Sequence, residues 1–233
     1  MISLTKSLLT VFIASLLLAD GARAADKNAP PKKGKWIVLF DGKSTAALRG
    51  YKMEGLPDCW KVTDGTLQTV ATKEAVTDVI TKEKFHDFEL VCDWRMSPGG
   101  NSGIIYRVSE DKTHPWETGP EYQLLDDTKA NDGKNPKTSA GSLYAMIAPA
   151  NKELKPVGEW NTTRIIIKNN HVEHWLNGKK ILEYTWGSDE LKALIAQSKF
   201  KDKPLFATQE SGHIDFQHHH HDVWFKNIKI CPL

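Results

Sequence analysis

Asp87-Phe88-Glu89-Leu90-Val91-Cys92-Asp93-Trp94-Arg95-Met96 decides the fold. Phe88, Leu90, Cys92, Trp94 and Met96 share one parity, and Glu89, Val91, Asp93 and Arg95 share the other. That is the period-two alternation of an extended chain. One apolar and one largely charged face place such a strand in an antiparallel sheet with a single side on the core.

Working outward, Ile104 to Val108, Glu121 to Leu125 and Thr163 to Lys168 read the same way, dense in branched and aromatic residues. His171 to Leu176 meets Asn177-Gly178, the strongest two-residue hairpin signal, before Lys179 to Tyr184 returns. Val223 to Ile230 adds a closing strand, while Asp41-Gly42 and Asp64-Gly65 mark tight turns. One helix interrupts the series near residues 188–200: Ser188 caps it, Asp189 and Glu190 suit its positive end, Leu191, Leu194 and Ile195 form a stripe, and Lys199 and Lys201 suit its negative end. This helix is expected to pack on the sheets without entering the chemistry. The fold expected is therefore all-β, an antiparallel two-sheet jelly-roll (concanavalin A-like) sandwich with one inserted helix, and no βαβ design. Long connections near residues 109–120, 126–142 and 148–161 are expected to shape a binding face.

The amino terminus reads as a secretory signal over residues 1–24: Lys6, an apolar run from Leu8 to Ala19, then Ala22-Arg23-Ala24 as a cleavage site. That run is too short to span a bilayer, so no membrane span is expected after cleavage, and an exported protein, periplasmic or extracellular, is expected. Residues 25–34 read as a disordered tether and 35–233 as one domain. With 31 basic and 29 acidic residues interspersed, the chain lacks the footprint of a nucleic-acid binder. Three cysteines, Cys59, Cys92 and Cys231, allow at most one disulfide, and Cys92 sits on an apolar strand face as a buried thiol.

No nucleotide-binding glycine loop, nucleophile elbow or zincin helix occurs, and Pro98 to Gly103 joins two strands instead of opening a helix. Polar residues recur where strand parity points away from the core: Glu121 and Gln123 against Tyr122 and Leu124, Arg107 against Tyr106, Lys168 against Ile167, and Asp215, Gln217 and His219 against Ile214 and Phe216. An ordinary solvated face is the plain reading. The mixture of acid, amide, guanidinium and imidazole favours a site that orients hydroxyls and moves protons. The run His218 to His221 invites a metal, but alternation lets at most two of its rings meet one ion.

Five segments in order, Trp36 to Lys43, Gly99 to Ile104, Gly119 to Asp126, Gly158 to Asn161 and Trp175 to Gly178, resemble the 3-keto-disaccharide hydrolase domain family, with the match running from Trp36 to Leu233. A closing motif follows at Gly212 to His219, where His219 takes the family's histidine position and His220 replaces its glycine, an exchange expected to alter the local turn. The resemblance implies an exported jelly roll acting on sugars oxidised at carbon 3. A base removing the C2 proton and β-elimination at C1 would then do the cleavage. Candidate catalytic residues are Glu121 or His219 as base, with Arg107 or Lys168, or a divalent metal held by His219 with a carboxylate, stabilising the enolate; Asn101, Gln123, Asp126 and Gln217 would bind substrate. Two alternatives stand beside it: a conventional glycoside hydrolase pairing Glu121 with Glu89 or Asp93, and a carbohydrate-binding module without chemistry.

Overall fold

The structure, a computed structural model, describes residues 34–233; the expected signal segment and all but the last residue of the tether lie outside the described residues. In chain order the strands are β1 (Ile37–Phe40), β2 (Leu48–Gly50), β3 (Trp60–Thr63), β4 (Thr66–Thr69), β5 (Val79–Thr81), β6 (Phe88–Met96), β7 (Asn101–Val108), β8 (Glu121–Leu125), β9 (Asn161–Lys168), β10 (His171–Leu176), β11 (Lys179–Thr185), β12 (His213–Phe216) and β13 (Val223–Pro232). The helix α1 spans Asp189–Ala196, and the Ser188 side chain caps it by accepting from the Leu191 N–H.

Two antiparallel sheets form. The larger runs β11-β10-β9-β6-β13-β4-β3, with β1 also paired to β13, and the smaller runs β2-β5-β12-β7-β8. The alternation read in β6 is literal: its apolar parity is buried and its charged parity half-buried along the whole strand. Phe88, Leu90 and Trp94 of β6, Ile165 and Ile167 of β9, and Phe225 and Ile230 of β13 face Ile104, Tyr122 and Phe216 of the smaller sheet across one core. Each such side chain stabilises the fold by about 1.5–3 kcal/mol when taken from water. Polar bonds also cross the core. The Tyr106 hydroxyl lies 2.8 Å from both His174 Nε2 and the Tyr184 hydroxyl, and Tyr122 donates to the Trp175 carbonyl at 3.1 Å. Desolvation pushes His174 down to about 3, so it is neutral there. All three cysteines are free, and Cys92 is buried.

Strand parity fails at one place that matters for the site. The β7–β12 register slips between His213 and Asp215, and Arg107 sits in the left-handed region at φ 53°. An extra residue in one strand is a β-bulge, and it reverses which face follows. Arg107 therefore points away from the polar face. It is fully buried, its guanidinium 4.6 Å from the Trp186 ring, donating to the His86 carbonyl at 3.1 Å and lying 3.5 Å from Asp87 Oδ1. Removing one partner of a buried pair strands the other. Arg107→Ala should thus lower stability by about 3 kcal/mol while the folded fraction keeps full turnover. Calorimetry with titration of folded enzyme checks this, and an unchanged melting temperature with lost turnover would return Arg107 to the chemistry.

Candidate functional site

The outward face of the smaller sheet carries the candidate site. Ile105 lies opposite Glu121 and Gly103 opposite Gln123 in the β7–β8 ladder, and opposite residues share a face. On the other side of β7, Asp215 lies opposite Ile105, and the Gln217 N–H donates to the Gly103 carbonyl at 2.9 Å. Two distant segments flanking β7 thereby turn Glu121, Gln123 and Gln217 the same way. A hollow of about 120 Å³ is lined by these side chains with Asn101 and His219. It adjoins a larger depression of about 540 Å³, with Trp116, Gln217 and His219 common to both.

Of the residues expected from sequence, Asn101, Glu121, Gln123, Gln217 and His219 meet here. Three do not. Arg107 is turned inward by the bulge described above. Lys168 ends β9 on the exposed outer side of the larger sheet, because the even parity of that strand points away from the core. Asp126 is consumed by its own loop, accepting from the Gly99 N–H at 2.7 Å, the Thr128 N–H at 2.9 Å and the Thr128 hydroxyl at 2.6 Å. The alternative acid partners also lie across the sandwich: Glu89 pairs with Arg164 at 2.7 Å, and Asp93 accepts from Thr162 and Asn227. No conventional pair of carboxyls flanking one bond can be built from Glu121 with either.

Sequence reasoning missed Lys199. Counted as a charge suiting the helix end, it lies just beyond α1 and faces the hollow, its ammonium 4.2 Å from the Tyr144 ring and 5.8 Å from that of Trp116. Desolvation lowers its pKa, with Glu121 and Asp132 opposing. The turn after the helix thus brings a cation to the site, and only the long loops at Trp116 and Tyr144 make that visible. Asp78 was missed as well, whereas strand parity already sets Asp215 on this face. Asp215 is fully buried with both carboxylate oxygens unpartnered, and Asp78 accepts from the His218 N–H at 2.7 Å.

These carboxyls set the proton inventory. Desolvation pushes Glu121 up to about 8, against the pull of Lys199 and with Asp78 and Asp132 adding to the rise. Asp78 is pushed up to about 7 and Asp215 well up, mainly by burial. Glu121 is therefore mostly protonated at pH 7. His219 moves the opposite way, held below 6.5 by desolvation and by the neighbouring His221 and His220, so its imidazole is neutral. Two groups facing one hollow with protonation states driven apart are the arrangement that assigns acid and base.

Two local features hold Glu121 in place. The Gln123 amide nitrogen donates to Glu121 Oε1 at 3.1 Å and to the Ser102 carbonyl at 2.8 Å. Gly103 supplies the space, because a Cβ there would collide with the Glu121 carboxyl. Gly103→Ala should therefore displace that group by a fraction of an ångström to an ångström, and misplacement on this scale costs about 10²-fold in turnover. Steady-state kinetics beside a thermal melt checks the prediction; undiminished turnover would mean that the Glu121 position is not critical.

The histidine run divides. His218 is buried, with Nε2 3.1 Å from the Val70 carbonyl and its ring edge-on to Trp60, whereas His219 faces the hollow. His220 adopts φ 61°, a left-handed backbone that glycine takes freely and histidine only at some strain. Among the described residues the one trio of side chains with ligand atoms in mutual reach is His171, Glu173 and Glu183, on the β10–β11 hairpin, where Lys180 already pairs with both acids.

A family described as the 3-keto-alpha-glucoside-1,2-lyase-like domain matches residues 35–231. A 3-keto-disaccharide hydrolase of Bacteroides thetaiotaomicron is 34% identical over 227 residues, covering 85% of this chain and 78% of that protein. A crystal structure from Parabacteroides distasonis, provisionally described as a glycosyl hydrolase, aligns with TM-score 0.78 at 35% identity over 85% of this chain and 94% of that one. A galectin-like protein of unknown function from Bacillus subtilis aligns with TM-score 0.54 at 11% identity, over 86% of this chain and 97% of that one, and so shares the sandwich alone. Among the described residues no helix is long and apolar enough to cross a membrane.

Proposed function

This chain belongs to the 3-keto-alpha-glucoside-1,2-lyase-like domain family, and from that premise we propose that it is a glycosidase-like enzyme cleaving glycosides already oxidised at carbon 3. The observation that carries the reading is the pairing, in one hollow, of a carboxyl held protonated with an imidazole held neutral. A C3 carbonyl acidifies the hydrogen on C2. His219 removes that proton, the C2–H electrons form the enolate with C3, and the Lys199 ammonium stabilises the oxyanion. The enolate then collapses to the enone as the C1–O bond breaks, and Glu121 gives its proton to the departing oxygen. Water adds at C1, and C2 regains a proton. Asn101, Gln123 and Gln217 supply the amides that orient ring hydroxyls.

The larger adjoining depression, walled by Trp116, would take the departing sugar or aglycone. The stacking of His114 on Trp116, with ring centroids 5.6 Å apart, stiffens that wall. Action outside the cytoplasm accords with the leader-like residues 1–24. The test is incubation with a 3-ketoglucoside and with the unoxidised disaccharide, with and without chelator, following enone absorbance and free sugar. Release from the keto substrate alone is expected. Release from the plain disaccharide would favour a conventional hydrolase, and binding without product a carbohydrate-binding module.

A further inference from the structure

A second depression, of about 430 Å³, lies across the sandwich on the outer face of the larger sheet. One cross-strand row builds it. Arg95 of β6 lies opposite Trp224 of β13, Trp224 opposite Gln68 of β4, and Gln68 opposite Lys61 of β3. Trp160, one residue before β9, extends the row beyond Arg95, since its neighbour Asn161 lies opposite Trp94. At about 4.8 Å per strand the row is roughly 19 Å long.

Its chemistry is specific. The Arg95 guanidinium lies 4.9 Å from the Trp160 ring and 5.0 Å from that of Trp224, and its Nε is buried without a hydrogen-bond partner. The Lys226 ammonium lies 4.0 Å from Trp160. None of Lys61, Arg95 and Lys226 forms an ion pair among the described residues. The neighbouring acid Asp93 is already engaged by Thr162 and Asn227. Two cations, two indoles and an amide thus lie in a line with Lys226 beside it, and Asp64, the one acid that lines the depression, ion-pairs with none of the three cations. The other arginines among the described residues are each paired, Arg49 with Glu110, Arg107 with Asp87 and Arg164 with Glu89.

We propose that this row binds an anionic saccharide, a run of sugar rings bearing carboxylate or sulfate, as a surface site separate from the catalytic hollow. Planar guanidinium geometry suits two oxygens of one anionic group. The indole N–H groups and the Gln68 amide serve hydroxyls. A polynucleotide fits less well, because the chain as a whole carries a formal charge of only +2.

The test is titration of the full chain with trigalacturonate, a chondroitin sulfate tetrasaccharide, neutral cellotetraose and an oligothymidylate, reading the Trp160 and Trp224 indole N–H resonances. Both anionic sugars, or one of them, should bind about tenfold more tightly than the neutral one, with the preference for carboxylate or sulfate identifying the anion, and binding should weaken as salt rises. Arg95→Gln should weaken it about tenfold, and Lys61→Gln combined with Lys226→Gln should flatten the salt dependence; both variants should keep full turnover in the hollow. Equal binding of neutral and anionic sugars, no perturbation of either indole, tighter binding of the oligonucleotide, or affinity unmoved in both variants would overturn the proposal. Because turnover is read separately, failure here leaves the catalytic reading intact, and the reverse also holds.

Discussion

Glu121→Gln should lower kcat/KM for a 3-ketoglucoside by ~10²–10⁴-fold, the range a positioned proton donor contributes, and should erase the alkaline limb of the pH profile. The wild-type limb is expected at about 8, where Glu121 loses the proton it would hand to the leaving oxygen. Glutamine keeps the volume and the bond with Gln123 but has no acidic proton. The same exchange has a stability signature of known sign. A carboxyl whose folded pKa is raised contributes stability that is fully present below its unfolded value of 4.5 and is lost as pH climbs to about 8. For one proton the loss is about 1.4 kcal/mol per pH unit within that window. Wild-type melting temperature should therefore fall between pH 5 and 8, with Asp78, pushed up to about 7, adding to the fall. Glu121→Gln should melt higher than wild type at pH 8 and much less differently at pH 5. Activity lost together with a collapse of stability at pH 8 would mean that Glu121 is structural.

His219→Ala should cost a comparable ~10²–10⁴-fold, and for the opposite limb. With its pKa below 6.5, His219 loses basicity only on the acid side, so wild-type kcat/KM should fall as pH drops below that value. In the alanine variant this limb should disappear. Exposed at the rim, His219 supports little packing, and the melting temperature should barely change. Addition of free imidazole offers the sharper readout, because a cavity at position 219 should admit the missing base and restore part of the rate. A variant with normal turnover, or one that imidazole leaves untouched, would shift the base to another group in the hollow.

Much of the scaffold was legible before any coordinate, for a physical reason. In β6, β8 and β10 the two-residue period is the structure, and β8 and β10 fall on Glu121–Leu125 and His171–Leu176 as read from the pattern. Parity placed Glu121, Gln123 and Gln217 on one face because β8 and the segment after β12 keep their pleat. It misplaced Arg107 because a bulge costs one residue of phase and leaves no trace in side-chain chemistry. Lys168 was misread for another reason: parity tells inside from outside, but not which of two sheets a strand joins. Lys199, Tyr144 and Trp116 were invisible because they reach the hollow from a turn and two long loops, where no period links sequence to direction. No pattern marks Asp78, and Asp215, which parity sets on the polar face, takes its weight from burial that only the assembled sheet creates.

Transfer of the C2 proton is the central step, and the fate of a label at that carbon tests it most directly. A 3-ketoglucoside deuterated at C2 should lose its deuterium to solvent on every turnover, with early product free of label beyond the exchange that free product shows alone. Product that keeps its C2 deuterium, formed without a primary isotope effect on turnover, would show that C1 is cleaved without an enolate, and the roles given to His219 and Glu121 would fall together.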